Sequence, residues 1–275
     1  METEANNHSP FEALPEECMA NIISFTTPRD ACELSFVSKV FCSASKSDIV
    51  WERFLPSDPH SIISQCPSSS SLLASSSKKD LYFTLCDNPI NIHGGKKSFQ
   101  LDKRSGKKCY MLASRDLSIC YSDSPLYWNW TTLPESRFEE VAKLVGICCL
   151  EIHGRISSRL LSLKTHYSAY LVFKIIGGFC VGHHPAEVSV GIVGVYSSTR
   201  NVYLDPTMTD EQRRHLGLPC PEVRNDGWLE IKMGDFFNLG VEDYQVNMSV
   251  VDKEAGIWKT GLVLQGIEVR PRKDN

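Results

Sequence analysis

The 275-residue sequence has no long hydrophobic run: its longest apolar stretch, LVGICCL at 144–150, falls far short of the roughly 20 residues a spanning helix needs. No membrane contact is therefore expected. The start, METEANNHSPFEALPEE, lacks the apolar core of a secretory signal. Neither charge is in large excess. Lys plus Arg number 29 against 33 Asp plus Glu, giving a net charge of −4 and a pI near 6.1. That balance argues against a protein built to neutralise phosphates, so nucleic acid is not an expected partner. The eleven cysteines lack both an even count and regular spacing. Without a signal segment they read as free thiols in a reducing compartment, the cytoplasm and/or the nucleus. The sequons at Asn7, Asn129 and Asn247 are for the same reason chance matches.

Catalytic signatures are missing as well. Gly94-Gly95-Lys96-Lys97-Ser98 looks like a phosphate loop, but Ile90 stands where its first glycine belongs and Lys97 where Ser or Thr belongs. No G-x-S-x-G elbow or H-E-x-x-H helix occurs. Cys180-Val181-Gly182-His183, with His184, has ligand spacing but no matching second pair, so no metal or cofactor is expected. Cys148 and Cys149 are adjacent, which on a strand sends their side chains to opposite faces. A non-catalytic protein is expected.

What remains divides by composition: a helical, apolar N-terminal stretch, a Ser- and Pro-rich stretch from Pro56 to Ser77, and runs of period-two alternation from about Ser98 onward. The expected division is a tail at 1–8, a head at 9–55, a linker at 56–80 that includes the start of a short helix, a β body at 81–272 and a tail at 273–275. The fold class is α+β.

The head reads as three helices. Pro15 suits a first turn and is followed by Cys18, Ile22 and Phe25 in one stripe with Leu14. Thr27-Pro28-Arg29-Asp30 has capping-box character and opens a second helix, striped with Leu34, Val37, Val40 and Phe41. A third helix begins at Ser47 or Asp48, carries Val50, Trp51, Phe54 and Leu55, and stops at Pro56. Three helices in about 45 residues seldom suffice for a core of their own, so another protein is expected to cover their apolar side chains.

The ordered set Leu14-Pro15, Ile22-Ile23, Pro28 with Asp30, Leu34, Val37-Ser38, Phe41, Ser47-Asp48 and Trp51 strongly resembles an F-box. The resemblance implies docking onto a Skp-type adaptor of a cullin-based ubiquitin ligase through Leu14, Pro15, Ile22, Ile23, Pro28, Leu34, Val37, Phe41 and Trp51. The plainer alternative is a three-helix subdomain packed on the β body.

In the β body, Phe99/Leu101 and Cys109/Met111 flank Lys103-Arg104-Ser105-Gly106 as a hairpin, a basic turn that is a solvated hairpin or a weak nuclear address. Leu117, Ile119 and Tyr121 share a parity, as do Tyr167, Ala169, Leu171, Phe173 and Ile175. Glu139-Glu140 precede an expected short helix. Strands are expected at Val188–Val193, Trp228–Met233, Tyr244–Val251 and Leu262–Val269, with a turn at Asn225-Asp226-Gly227. Many strands with few intervening helices predict a mainly antiparallel sandwich of jelly-roll type.

RDLSICYSDSPLYWNW, SRFEEVAKLVGICCLEIHG, YSAYLVFKI, NDGWLEIKMGDFFN and TGLVLQGIEVRPR resemble, in that order, the phloem protein 2 domain related to Nictaba-type plant lectins, from about Leu81 to Arg272. With the head, the chain resembles plant F-box proteins of the phloem protein 2 B group. The resemblance implies a substrate receptor whose sandwich binds a target protein, glycosylated or not. Its carbohydrate site would use Tyr121 and Trp128 as aromatic plates, since sugars offer apolar C–H faces rimmed by hydroxyls. Tyr127, Asp123 and Asn129 lie among them, and N-acetylglucosamine-type chains are the expected sugars. Tyr121 stands where lectin members often carry Trp, and Cys149 where Trp is common. Trp128 and Trp130, two apart, could equally be core. The alternatives are a reader of protein degrons, or a lectin working without the ligase.

Overall fold

The computed structural model describes residues 14–66, 77–177, 184–192, 194–207, 209, 211, 215, 217–240, 242–252 and 258–273. The chain divides into two compact units, Met1–Asn88 with Gln100–Gly106, and Pro89–Phe99 with Lys107–Asn275. The Cys180–His183 spacing lies outside the described residues.

In the first unit, α1 (Glu16–Ser24) begins after Pro15 with Glu16 and Glu17 in its first turn, where carboxylates offset the exposed N–H groups. The helix α2 (Pro28–Leu34) has the expected capping box, with Thr27 and Asp30 bonding each other's backbone N–H at 3.1 Å. The stripe drawn through Leu34, Val37, Val40 and Phe41 does not form one helix. The chain turns at Ser35, and Ser38 caps a separate α3 (Lys39–Ala44) by accepting from the Phe41 N–H. Then α4 (Asp48–Phe54) follows as expected. Within the stretch read as linker there is a further helix, α5 (Pro59–Ile63), because Asp58 caps the Ser61 N–H and Pro59 opens the turn. Ser77 caps α6 (Lys78–Asp87).

These additions give the head a core of its own. Trp51 is fully buried, donates from Nε1 to the Ser45 carbonyl at 2.7 Å, and meets the rings of Phe54, Tyr82 and Phe83 at 5.7, 5.2 and 5.1 Å. Met19, Ile23, Val50, Ile63, Leu81 and Leu85 are buried with it. The Tyr82 hydroxyl donates to the carbonyls of Asp102 and Lys103, tying in the hairpin tip. Burial raises the Tyr82 hydroxyl's pKa and pushes the Cys86 thiol up to about 12. At that tip Gly106 has φ of +68°, and a Cβ there would sit 3.2 Å from the Phe54 carbonyl oxygen and 3.3 Å from Pro28.

The second unit is a two-sheet antiparallel sandwich. One sheet has nine strands: β1 (Ile90–Ile92), β2 (Lys97–Leu101), β3 (Lys108–Ala113), β5 (Trp128–Thr131), β6 (Val141–Leu144), β8 (Thr165–Ile175), β11 (Glu222–Val223), β12 (Leu229–Asn238) and β14 (Leu262–Pro271). The other has β4 (Ser118–Ile119), β7 (Leu150–Ser157), β9 (Ala186–Ile192), β10 (Tyr196–Val202) and β13 (Gln245–Asp252). The order β3-β14-β8-β12 faces the order β7-β13-β9-β10, with successive chain segments crossing between the sheets. That is the expected jelly roll. Their inner faces interlock: a Cβ on Gly154 of β7 would meet Leu112 and Ile267, and one on Gly234 of β12 would meet Val190.

Two local readings are overturned. The residues after Glu139-Glu140 form strand β6 rather than a helix, because β5 and β14 both pair with it. Cys148 and Cys149 sit in a bend instead of a strand, so their sulfurs lie 3.9 Å apart rather than on opposite faces. Val172, opposite the inner row of β8, is also buried, because Phe138, Val141 and Trp228 cover that face of the nine-stranded sheet. On the same sheet, Glu268 is buried between Arg224 at 2.7 Å, Arg270 at 2.8 Å and Arg137 at 3.2 Å. Burial alone would raise its pKa, but these guanidiniums overcome that and hold it at about 2.

Candidate functional site

The head leaves a set of apolar side chains uncovered. Phe36 is 89% exposed and Val37 65%, with Leu14, Pro15, Ile22, Phe25 and Ile49 also in solvent. The cause is local: the break between α2 and α3 lifts Phe36 and Val37 out of any helical stripe. Phe25 lies past the last turn of α1, its ring under the Arg53 guanidinium at 5.0 Å. Of the residues assigned to the adaptor contact, Leu14, Pro15, Ile22 and Val37 are exposed, and Leu34 and Phe41 are half-buried. Three assigned contact residues are not available. Ile23 and Trp51 are core, and Pro28 is buried beside the hairpin tip. Sequence reasoning missed Phe25, Phe36 and Ile49 as surface. The signal for Phe36 was the pair Ser35 and Ser38, two residue types that favour caps over helix interiors.

On the sandwich, the segment 120–130 resolves the two tryptophans differently from expectation. Trp128 is only 2% exposed and its Nε1 donates to the Cys120 carbonyl at 3.1 Å, so it is core and no sugar plate. Trp130 is half-buried, donates to the Ser122 carbonyl at 3.1 Å and lies under the Arg115 guanidinium at 3.5 Å. Both indoles therefore pin the loop between β4 and β5. Tyr121 escapes the parity of Leu117 and Ile119: β4 ends at Ile119, and Tyr121 turns outward at φ of +59°, leaving it 60% exposed. Its ring meets that of half-buried Tyr127 at 5.1 Å. Asp123 is exposed nearby in sequence, whereas Asn129 leaves β5 on the face opposite Trp128 and Trp130. The structure thus joins Tyr121 to Tyr127 and withdraws Trp128.

Comparison with known proteins matches residues 107–271 to the family model Phloem protein 2 and residues 11–53 to the F-box domain. The chain belongs to the phloem protein 2 family, with an F-box at its head. Three relatives from Arabidopsis thaliana align along nearly the whole chain. F-box protein At2g02240 is 48% identical over 96% of this chain and 81% of its own length. F-box protein PP2-B10 is 46% identical over 96% and 95%, and F-box protein SKIP3 is 43% identical over 96% and 90%. An F-box joined to a phloem protein 2 domain supports a substrate-recognition role in a Skp-cullin-F-box ligase. No helix among the described residues is long and apolar enough to cross a membrane.

Proposed function

We propose that this protein is the substrate-recognition subunit of a Skp-cullin-F-box ubiquitin ligase, with residues 9–55 carrying the adaptor contact and 81–272 the target contact. The observation that carries the reading is the uncovered set Leu14, Ile22, Phe36 and Val37 on a head that already has a complete core. Apolar side chains left outside a finished core are the mark of a protein interface. Catalysis would come from elsewhere in the ligase. This chain's contribution is effective concentration, holding target lysines near the ubiquitin-charged enzyme. Cys18, Cys32, Cys42, Cys66, Cys86, Cys120, Cys148 and Cys149 carry free thiols, which supports residence in the reducing cytoplasm or nucleus.

For the target, exposed Tyr121 packed on half-buried Tyr127 offers an aromatic plate, with Asp123 exposed two residues along the chain, fitting a neutral sugar such as N-acetylglucosamine on a glycoprotein. Two measurements test the proposal. A Skp-type adaptor should co-purify with the wild type and be lost with Leu14→Ala/Pro15→Ala; retention would refute the ligase reading. Target capture should be lost after glycosidase treatment of the target and with Tyr121→Ala; capture that survives both identifies a protein-degron reader.

A further inference from the structure

The outer face of the five-stranded sheet carries a cavity of about 510 Å³, a volume suited to a small ligand. Its floor follows from strand alternation. On β7, Ile152, Gly154 and Ile156 turn inward, so His153 and Arg155 turn out. Register then sets Arg155 beside Asn247 and His153 beside Ser249 on β13, with Ser189 of β9 next in that row. The far wall is the chain entering β10, where Tyr196 is exposed and its carbonyl, with Ser197, closes over Gly191 so tightly that only glycine fits.

The chemistry of this cavity differs from that of the aromatic loop. Ser189 and Ser249 hydrogen-bond each other at 2.6 Å. Asn247 also lines the floor, and its Oδ1 is buried with no hydrogen-bond partner among the described residues, an acceptor that a ligand hydroxyl satisfies once the amide turns toward the cavity. Among the described residues, no carboxylate lines the cavity. Glu151 and Glu187, which face outward in the next row with Val251 between them, stand two residues along their strands from His153 and Ser189. A ligand that fits must therefore supply a hydroxyl to Asn247 and an anionic oxygen to Arg155, within one or two sugar-sized units. A guanidinium holds a carboxylate by two parallel charge-assisted bonds, and an acidic sugar brings that carboxylate together with the hydroxyls.

We propose that the outer face of the five-stranded sheet is a second ligand site, distinct from the Tyr121 loop, that binds an acidic saccharide with its carboxylate on Arg155 and a hydroxyl on Asn247. The inference does not depend on the ligase reading, since it concerns the sandwich alone. The test is calorimetric titration of the full chain with digalacturonate, with its neutral counterpart galactobiose, and with galacturonate coupled to albumin. Digalacturonate should bind at least about tenfold more tightly than galactobiose, as expected for a charge-assisted pair in a partly dry site. Arg155→Ala should weaken acid binding about tenfold or more, Arg155→Lys less, and Tyr121→Ala not at all. Binding of either the free or the albumin-borne acid supports the site, and the tighter of the two names the source. Binding of neither, equal affinity for the neutral sugar, or loss of acid binding in Tyr121→Ala with none in Arg155→Ala would overturn it.

Discussion

The two units differ most in what they leave outside. The head buries a full aromatic core around Trp51 and still exposes Phe25, Phe36, Val37 and Ile22. The sandwich buries Trp128 and Trp228, and its open sheet face presents His153, Arg155, Asn247 and serines. Apolar surface without polar relief suits a long-lived partner that excludes water over a broad area. Polar groups around a small cavity suit a ligand that comes and goes. The contrast matches a receptor that stays on its ligase and exchanges its cargo.

Substitutions can break that contrast where it should be strongest. Trp51→Ala and Trp128→Ala each remove a buried indole with its hydrogen bond, and each should cost about 3–5 kcal/mol of unfolding free energy. Thermal denaturation monitored by near-ultraviolet dichroism would register both. Loss of adaptor or sugar binding in these variants should follow from unfolding; either one folding normally with a selective binding defect would return that tryptophan to the contact surface.

Acid should act on the sandwich next. Glu268 has its pKa lowered from an ordinary 4.5 to about 2, so the stability it contributes is fully present above pH 4.5 and is lost as pH falls toward 2. Glu268→Gln leaves three arginines without their shared carboxylate and should cost roughly 3 kcal/mol at neutral pH. It should also flatten the stability profile between those pH values. A variant with the wild-type slope would mean that other carboxylates control acid unfolding. The smallest effect belongs to Tyr121→Ala, which should change stability by less than about 0.5 kcal/mol because the ring is in solvent. A clear drop in denaturation midpoint would show that the ring supports the loop instead of serving a ligand.

Much of this architecture was legible from sequence. The capping signal at Thr27 marks a real helix start, and the long alternation of Tyr167 to Ile175 marks β8 at the centre of its sheet. The errors arose where a pattern continued across a break. Parity extended from Leu117 to Tyr121 past the end of β4, and helical spacing extended from Leu34 to Phe41 across Ser35 and Ser38. Strand β10, with the sequence YSSTRNV, has too little apolar alternation to be read at all, and it forms by pairing along β9. Most of the groove was hidden for the same reason, since its polar residues acquire meaning only through the registers of β7, β9 and β13. Trp51 and Ile23 were assigned to a partner through the F-box resemblance, on the expectation that three helices alone would lack a core. Helices α5 and α6 and the hairpin tip supply the missing cover.

The central claim is that the head's uncovered side chains serve a foreign subunit, and the most direct measurement is titration of a purified Skp-type adaptor into the full chain and into Phe36→Asp/Val37→Asp. Both positions are exposed, so the variant should keep the wild-type denaturation midpoint while its affinity for the adaptor falls at least about a hundredfold, as when charges enter an apolar interface. Unchanged affinity in a folded variant, or no adaptor binding by the wild type, would contradict the account.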